Sequence, residues 1–388
     1  MTNSPRRARS TKKKKTLDIR DVARRAKVSI ATVSRTINRV PSVNKKLAKR
    51  VLAAIADLNY YPNTQARTLV SGKSKIFGLL ISEITNPFFP ELIQGFEDIA
   101  IENGYDIMVS STNYDLTRMR TCVRRLLERS VEGVAVMTFG IEAPLLDELA
   151  SRNIPMVFID AGIPNPLVST LTVDYKRGIR EGVQHLAALT HRQIAFVSGP
   201  LQQLSCQLRK AAFLSSLEEV GIIPDPLLLL EGDHTLEGGI RATEHLLKGK
   251  NLPTAVMCSN DMTAIGVLRT FIRAGVRVPE DVSVIGFDDI HLAEFVHPPL
   301  TTVNMSRVAI ARAAFEALRA HVEDLPLSAK QKTTVIPTLL TIRQSTGFPR
   351  GTAAHANSRT EPSPKKRSPA AQIRPTRSAK KPPFVTCD

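Results

Sequence analysis

From residue 76 to residue 303, short apolar runs alternate with longer stretches in which apolar positions recur every three or four residues. The runs IFGLLIS, YDIMVSS, GVAVMT, IPMVFID, QIAFVSG, TAVMCS and VSVIGF have the length and composition of buried strands. Between them, FFPELIQGFEDIAIENG, MRTCVRRLLERS, SCQLRKAAFLSSLEEVG and DMTAIGVLRTFIRAG have helical spacing, and several close on Gly, a stop signal for helices. A series of strand, helix and strand predicts an α/β fold with parallel sheets covered by helices. More strands occur than one compact open sheet holds, and the stretch from Val173 to Tyr175 reads as a crossover, so two α/β lobes are expected. No internal sequence repeat is visible and no GxGxxG opens a helix. SGKS at Ser71 to Ser74 ends like a phosphate-binding loop, but Arg67 stands where that loop requires Gly.

Upstream the pattern changes. DIRDVARRAKVSIATVSRTIN predicts two short helices and a turn. Asp18 can cap the first, whose apolar stripe is Ile19, Val22, Ala23 and Ala26, and the Ser29 hydroxyl can cap the second. On the second helix Val33 and Ile37 would pack inward, leaving Ala31, Ser34, Arg35 and Asn38 on the opposite face. VSIATVSRTIN is rich in β-branched and hydroxyl residues and would be a marginal helix in water. Its narrow outer face, small hydroxyls around one long cation, suits insertion into a DNA major groove. Packing on the first helix and on a third, NKKLAKRVLAAIADLNY, supplies the stability that propensity lacks.

Charge strengthens that reading. The 388 residues carry a formal net charge of +17, unevenly spread. Residues 1–15 hold seven Lys and Arg and no acids, residues 16–75 thirteen against three, and residues 348–388 nine against two, which leaves 24 bases and 31 acids for 76–347. A basic head on a mildly acidic body points to a polyanion, and to nucleic acid over membrane because no basic amphipathic helix with bulky apolar residues accompanies it. Neither a signal peptide nor a membrane span is expected, so a cytoplasmic location is. Cys122, Cys206, Cys258 and Cys387 are too scattered for a zinc site, and no disulfide, metal or other cofactor is expected. Beyond residue 347, Pro, Ser, Ala, Arg and Lys dominate without an apolar face, the composition of a disordered tail.

With these features in order, the sequence resembles the lactose and galactose repressor family of bacterial transcription regulators. The resemblance covers residues 17 to about 346 and rests on DVARRAKVSIATVSRTIN, YYPNTQARTL, GLLISEITNPFF, GYD, RRLLERSVEGV, IPMVFID, FVSGP, PTAVMCSNDMTAIGVL, RVPEDVSVIGFDD and PPLTTV. It implies an N-terminal helix-turn-helix head, a hinge and a two-lobed periplasmic-binding-protein-like core of parallel sheets flanked by helices. The expected division is a basic tail at 1–15, the head at 16–61, the hinge at 62–74, the core at 75–347 and a second basic tail at 348–388. One lobe would hold about 75–173 and 304–332, the other about 174–303 and 333–347. Lys27 departs from the family's usual Gly or Asn at the tight turn, where left-handed geometry is common.

The resemblance further implies a homodimer on a palindromic double-stranded DNA operator. Ser29, Ile30, Ala31, Thr32, Ser34, Arg35 and Asn38 are the expected major-groove set. Arg35 is the long donor suited to a guanine edge, and Ile30 and Ala31 suit thymine methyl groups. In the hinge, Asn63 can cap a short helix on which Ala66 and Leu69 share a face, and Leu69 takes the place of the family's minor-groove wedge. Residues 348–388 contain no Leu, so a tetramer built on apolar heptads in the tail is not expected.

In a two-lobed α/β core, ligands bind beyond the carboxyl ends of the strands. Residues following the apolar runs include Asn86, Phe88, Phe89, Asp160, Arg209, Asn260, Asp261 and Asp288. Amides, carboxylates, a guanidinium and aromatic rings together suit a sugar or sugar derivative, whose hydroxyls take paired hydrogen bonds while its C–H face stacks. The resemblance lays effector contacts most directly on Arg209 and Asp288, then on Asp160 and Asn260, then on Asn86, Phe88 and Phe89. Asp261 is expected to cap a helix instead. His234 stands where the family often places a large aromatic, which implies a ligand more polar or acidic than a plain hexose unless it is a solvated loop histidine. The expected function is a sequence-specific transcription regulator, a repressor, under the control of a small polar metabolite. A transport-type binding protein would not need residues 16–72. An enzyme would need a nucleophile and acid–base pair that adjacent Asp288 and Asp289 do not provide.

Overall fold

The computed structural model describes residues 17–38, 40–61, 73–138, 143–160, 165–249, 252–326 and 333–350. The expected hinge residues Asn63, Ala66 and Leu69, the first basic tail and the second from residue 351 onward lie outside the described residues.

The head is built from α1 (Ile19–Ala26), α2 (Ile30–Ile37) and α3 (Lys45–Leu58). Asp18 starts α1 by accepting the backbone N–H groups of Arg20 at 2.8 Å and Asp21 at 3.1 Å, while the Asp21 carboxylate accepts the N–H of Asp18 at 3.1 Å. This reciprocal arrangement occupies donors that a helix start leaves without partners. Ser29 starts α2 in a simpler way, its Oγ accepting the Thr32 N–H at 3.1 Å. Val22, Ala23, Ala26, Val33, Val51 and Ala54 form the buried centre, with Ile19 and Ile37 at its margin. Lys27 is left-handed, with φ 51° and ψ 53°. Arg50 reaches over from α3 and donates to the carbonyls of Ala26 at 2.6 Å and Lys27 at 3.1 Å. A cation thus satisfies carbonyls at the end of α1 and clamps the turn that Gly would adopt more freely.

In the core, β1 (Ile76–Ile81), α4 (Phe88–Glu102), β2 (Asp106–Ser111), α5 (Leu116–Glu128), β3 (Gly133–Met137), α6 (Ala143–Ser151), β4 (Met156–Ile159) and β5 (Val168–Val173) form the first lobe. The second contains α7 (Tyr175–Ala188), β6 (Ile194–Ser198), α8 (Leu204–Glu219), β7 (Leu229–Glu231), α9 (Leu236–Lys248), β8 (Ala255–Cys258), α10 (Asp261–Arg273), β9 (Ser283–Asp288), a short α11 (Leu292–Phe295) and β10 (Thr301–Met305). The chain then returns through α12 (Arg307–Val322), which packs on α4 and β3, and ends in β11 (Thr333–Ile336) and β12 (Thr338–Thr341).

The sheets run β11-β5-β4-β3-β1-β2 and β12-β10-β9-β8-β6-β7. Without their last strands, both have the doubly wound order in which the first strand lies between the second and third. Two lobes without a visible sequence repeat therefore share one topology. Two details correct the sequence reading. Residues 333–336, placed above in the second lobe, pair in parallel with β5 and close the first sheet. The sheets are also not wholly parallel, because β12 runs antiparallel to β10.

The apolar strand residues make the core. Leu79, Ala135 and Val157 are fully buried at the centre of the first sheet, and Ala195, Val256 and Ile285 occupy the second. Helix packing is close enough to constrain chain identity: a Cβ on Gly239 of α9 would lie 2.1 Å from the Thr263 carbonyl of α10. This contact fixes α10, whose N-cap Asn260 lines the cleft described next.

Candidate functional site: a DNA-reading face and an interlobe cleft

On α2 the inward residues Val33 and Thr36 are buried, whereas Ser29, Ile30, Ala31, Arg35 and Asn38 are exposed and Thr32 and Ser34 half-buried. Ile30 is 47% exposed although it is a large apolar residue. The Ser29 and Thr32 hydroxyls lie 2.9 Å apart, at the helix start. A short, protruding helix that shows one guanidinium, small hydroxyls and methyl-bearing groups is shaped for base edges in a groove.

The second candidate site lies between the lobes, where segments leaving the carboxyl ends of both sheets meet. The cleft encloses about 600 Å³, solvent-open space included. After β1 the chain supplies Asn86, Phe88 and Phe89. The Asn86 side chain accepts the Phe88 N–H at 3.0 Å and so sets the start of α4, and the two Phe rings meet edge to face at 5.4 Å. Thr138 follows β3, Asn260 follows β8, and Asp288 ends β9.

Arg209, on α8, is the best-held side chain of the cleft and is 5% exposed. Its Nη1 donates to the Ser259 carbonyl, its Nη2 lies 3.8 Å from Asp288 Oδ1, and its guanidinium sits 4.1 Å over the Phe287 ring. The Nε–H is buried and has no hydrogen-bond partner among the described residues. Burial pushes the Asp288 carboxyl up to about 7, even though Arg209 and Arg307 pull the other way. Arg209 and Asp288 both line the cleft, so the pair offers a guanidinium and a carboxyl to a bound molecule.

His234 forms another wall. Its Nε2 lies 3.0 Å from Ser259 Oγ and 3.6 Å from Cys206 Sγ, and its ring sits so close to Gly199 that a Cβ there would come within 2.2 Å. Burial lowers its pKa to about 3, so the imidazole is neutral at physiological pH. Asn260 lines the cleft, but both ends of its amide have partners: it accepts the Thr263 N–H and donates to the His234 carbonyl, each at 2.9 Å.

Two expectations change. Asp160 does not line the cleft. It sits one layer behind, accepting the Tyr175 hydroxyl at 2.6 Å and the Val173 N–H at 2.9 Å, and it is Tyr175 that reaches the cleft wall. The cap of α10 is Asn260, not Asp261. Asp261 is fully buried and accepts from the Ile290 N–H and the Thr302 hydroxyl, which fastens the segment after β9. Tyr114, Met137, Thr138, Ile159, Tyr175 and Met305 also line the cleft and were missed. Thr138 directly follows an apolar run and the rule applied above would have found it. Met305 ends a strand, TTVNM, too polar to be read as one.

Among the described residues no group of His, Cys, Asp and Glu is arranged to hold a metal ion, and no helix is long and apolar enough to cross a membrane. Residues 18–63 match the bacterial regulatory proteins of the lacI family, and residues 183–346 match the periplasmic binding protein-like domain. The HTH-type transcriptional repressor PurR of Photobacterium profundum is 38% identical over 307 residues, covering 79% of this chain and 92% of that protein. PurR of Haemophilus influenzae is 35% identical, covering 77% and 89%. Among solved structures, a Lac repressor dimer bound to operator and the anti-inducer ONPF superposes with a TM-score of 0.76 at 30% identity, covering 86% of this chain and all of that one. A complex of the transcriptional regulator CelR with cellobiose gives 0.63 at 27%, covering 85% and 99%. These relatives are transcription regulators, not enzymes. With its helix-turn-helix head and its ligand cleft, the chain belongs to the lacI family of bacterial regulatory proteins and is a DNA-binding transcriptional repressor under small-molecule control.

Proposed function

We propose that the protein works in the cytoplasm as a homodimer on a palindromic operator, and that a sugar or sugar derivative in the interlobe cleft sets its operator affinity. The observation that carries the ligand assignment is the buried Arg209–Asp288 pair in a cleft that Phe88 and Phe89 also line. Adjacent hydroxyls can accept from the guanidinium and donate to the carboxylate while a ring face stacks on Phe. Neutral His234 adds a polar wall, and Asn86 and Asn260 shape the floor. The CelR neighbour was solved as a complex with cellobiose, which supports a saccharide as the ligand. On the DNA side, Arg35 reads a guanine edge, Ile30 and Ala31 meet thymine methyl groups, and Ser29, Thr32, Ser34 and Asn38 complete the major-groove contact. Asn63, Ala66 and Leu69 form the minor-groove hinge, with Leu69 as the wedge.

Selection of a binding duplex from random DNA, followed by fluorescence anisotropy with a panel of mono- and disaccharides, sugar acids and nucleobases, tests this reading. One saccharide is expected to change operator affinity about 5- to 150-fold. A response to nucleobases alone would overturn the sugar assignment, and a selected duplex without twofold symmetry would overturn the dimer.

A further inference from the structure

Helix α4 carries more than the Phe88 and Phe89 wall. One residue beyond Pro90, Glu91 makes two contacts that run in different directions. Its Oε2 pairs with Arg307 Nε at 2.9 Å, and its Oε1 accepts the backbone N–H of His291 at 3.0 Å. Arg307, the first residue of α12, also donates through Nη1 to the main-chain carbonyl of Asp288 at 2.6 Å. Glu91 and α12 belong to the first lobe, whereas Asp288 and His291 belong to the second. Two hydrogen bonds therefore cross the lobe boundary through one ion pair, and the pair is largely shielded from solvent, Arg307 being 16% and Glu91 29% exposed.

The backbone under this pair is strained. Asp288 has φ 115° and Asp289 φ 56°, both in the region that favours glycine. Asp289 is held from the other side: it accepts from Arg343 at 2.7 Å and from Asn304 at 2.8 Å. Strained corners persist only where the surroundings over-determine them, and here one of the holding groups comes from the opposite lobe. Asp288 is the cleft carboxylate, so the same corner meets the ligand site on one side and the interlobe contact on the other.

We propose that Glu91 and Arg307 are positioning residues that form an interlobe latch: together they hold the Asp288–Asp289 corner and fix the lobe arrangement on which operator affinity depends. That the core sets operator affinity is taken from the function proposed above, but the latch itself is tested without any ligand. Glu91 accepts from His291 only when the lobes stand as seen here, and Arg307 orients Glu91 for that contact while it pins the Asp288 carbonyl.

The test uses full-length protein with Cys387→Ser, spin labels at Glu128→Cys and Glu244→Cys, and a duplex selected for binding. Double electron–electron resonance reports the interlobe distance, and anisotropy reports operator affinity, both without ligand. Glu91→Ala and Arg307→Met are each expected to shift or broaden the distance distribution and to change operator affinity at least fivefold. The double variant should go no further than either single variant. The exchanged pair, Glu91→Arg with Arg307→Glu, should not restore either readout. It would set a donor against the His291 N–H and an acceptor against the Asp288 carbonyl, whereas a mere helix–helix ion pair would be rescued. Unchanged distances with operator affinity within twofold of wild type, additive effects or rescue by the exchange would overturn the latch. Failure of every small molecule to change wild-type operator affinity would overturn the ligand reading alone.

Discussion

The head presents its functional side chains outward from a minimal core, and the body of the molecule buries its own. In the head six small or medium apolar residues form the buried centre of three helices, and Ile30, Ala31 and Arg35 of α2 lie exposed on its surface. In the cleft, Arg209 and Asp288 are each 5% exposed. The difference follows from the partners. DNA brings its own charge and hydrogen-bond pattern to the protein surface, so the head needs rigid display and long-range attraction. A small molecule must be extracted from water, so the cleft needs polar groups already desolvated and aimed, which is costly in the empty protein and rewarding only when the ligand completes the set.

The largest test of that contrast is at the buried pair. Asp288→Ala takes the carboxyl away from Arg209, whose guanidinium cannot shed its charge; loss of the ligand response is expected, and at pH 5, where the folded carboxyl is protonated, a loss of about 2 to 3 kcal/mol in denaturant unfolding. Arg209→Met at the same pH should cost less, about 1 kcal/mol, because a neutral carboxyl is what remains buried. Equal losses would show that the charge asymmetry is unimportant here.

A pH series sharpens the same point. Burial raises the Asp288 carboxyl from 3.8 to about 7. Between these values the folded state binds more protons than the unfolded one, so stability from this group is present at low pH and falls as pH rises, levelling off above about 7. Relative to Asp288→Asn, the wild type should lose on the order of 2 to 3 kcal/mol between pH 5 and pH 8, read from urea midpoints. A wild type that gains stability relative to Asp288→Asn as pH rises would reverse the assignment.

On the exposed side, Arg35→Ala is expected to cost roughly 1 to 3 kcal/mol of operator affinity and to relax preference at one base pair, leaving unfolding midpoints of the core unchanged. Uniform weakening on all sequences would assign Arg35 to phosphate. The smallest effect belongs to the turn: Lys27→Gly relieves left-handed strain but adds freedom to the unfolded chain, so the head should gain less than about 1 kcal/mol, measured by thermal melting of the head transition. A clear destabilisation would mean that the Arg50 clamp depends on the lysine itself.

Much of this organisation is legible before any coordinates. Seven strands and four helices of the core are written as short apolar runs and helical spacing, most clearly in central strands such as β1, β3 and β8, where burial on both faces leaves few polar positions to confuse the pattern. The caps at Asp18 and Ser29 are local, decided within three residues. The rule that ligands sit after strand ends finds Asn86, Phe88, Phe89, Arg209, Asn260 and Asp288, all of which line the cleft.

What the tertiary structure decided involves partners distant in sequence. Asp160 follows an apolar strand as a ligand contact would, yet the Tyr175 hydroxyl claims it and takes its place at the wall. Asp261 and Asn260 are adjacent and both able to cap; Thr302 and the Ile290 N–H draw Asp261 inward and leave the cap to Asn260. The edge strand Thr333–Ile336 has burial on only part of its length, so no pattern names its sheet, and pairing with β5 does. Glu91 looks like an ordinary helix-surface acid until His291, two hundred residues later, is brought to it. Periodicity records how each segment meets solvent and core. Which of two equivalent polar groups is consumed by the fold, and which remains for a ligand or for the opposite lobe, depends on long-range neighbours, and a one-dimensional pattern carries no information about them.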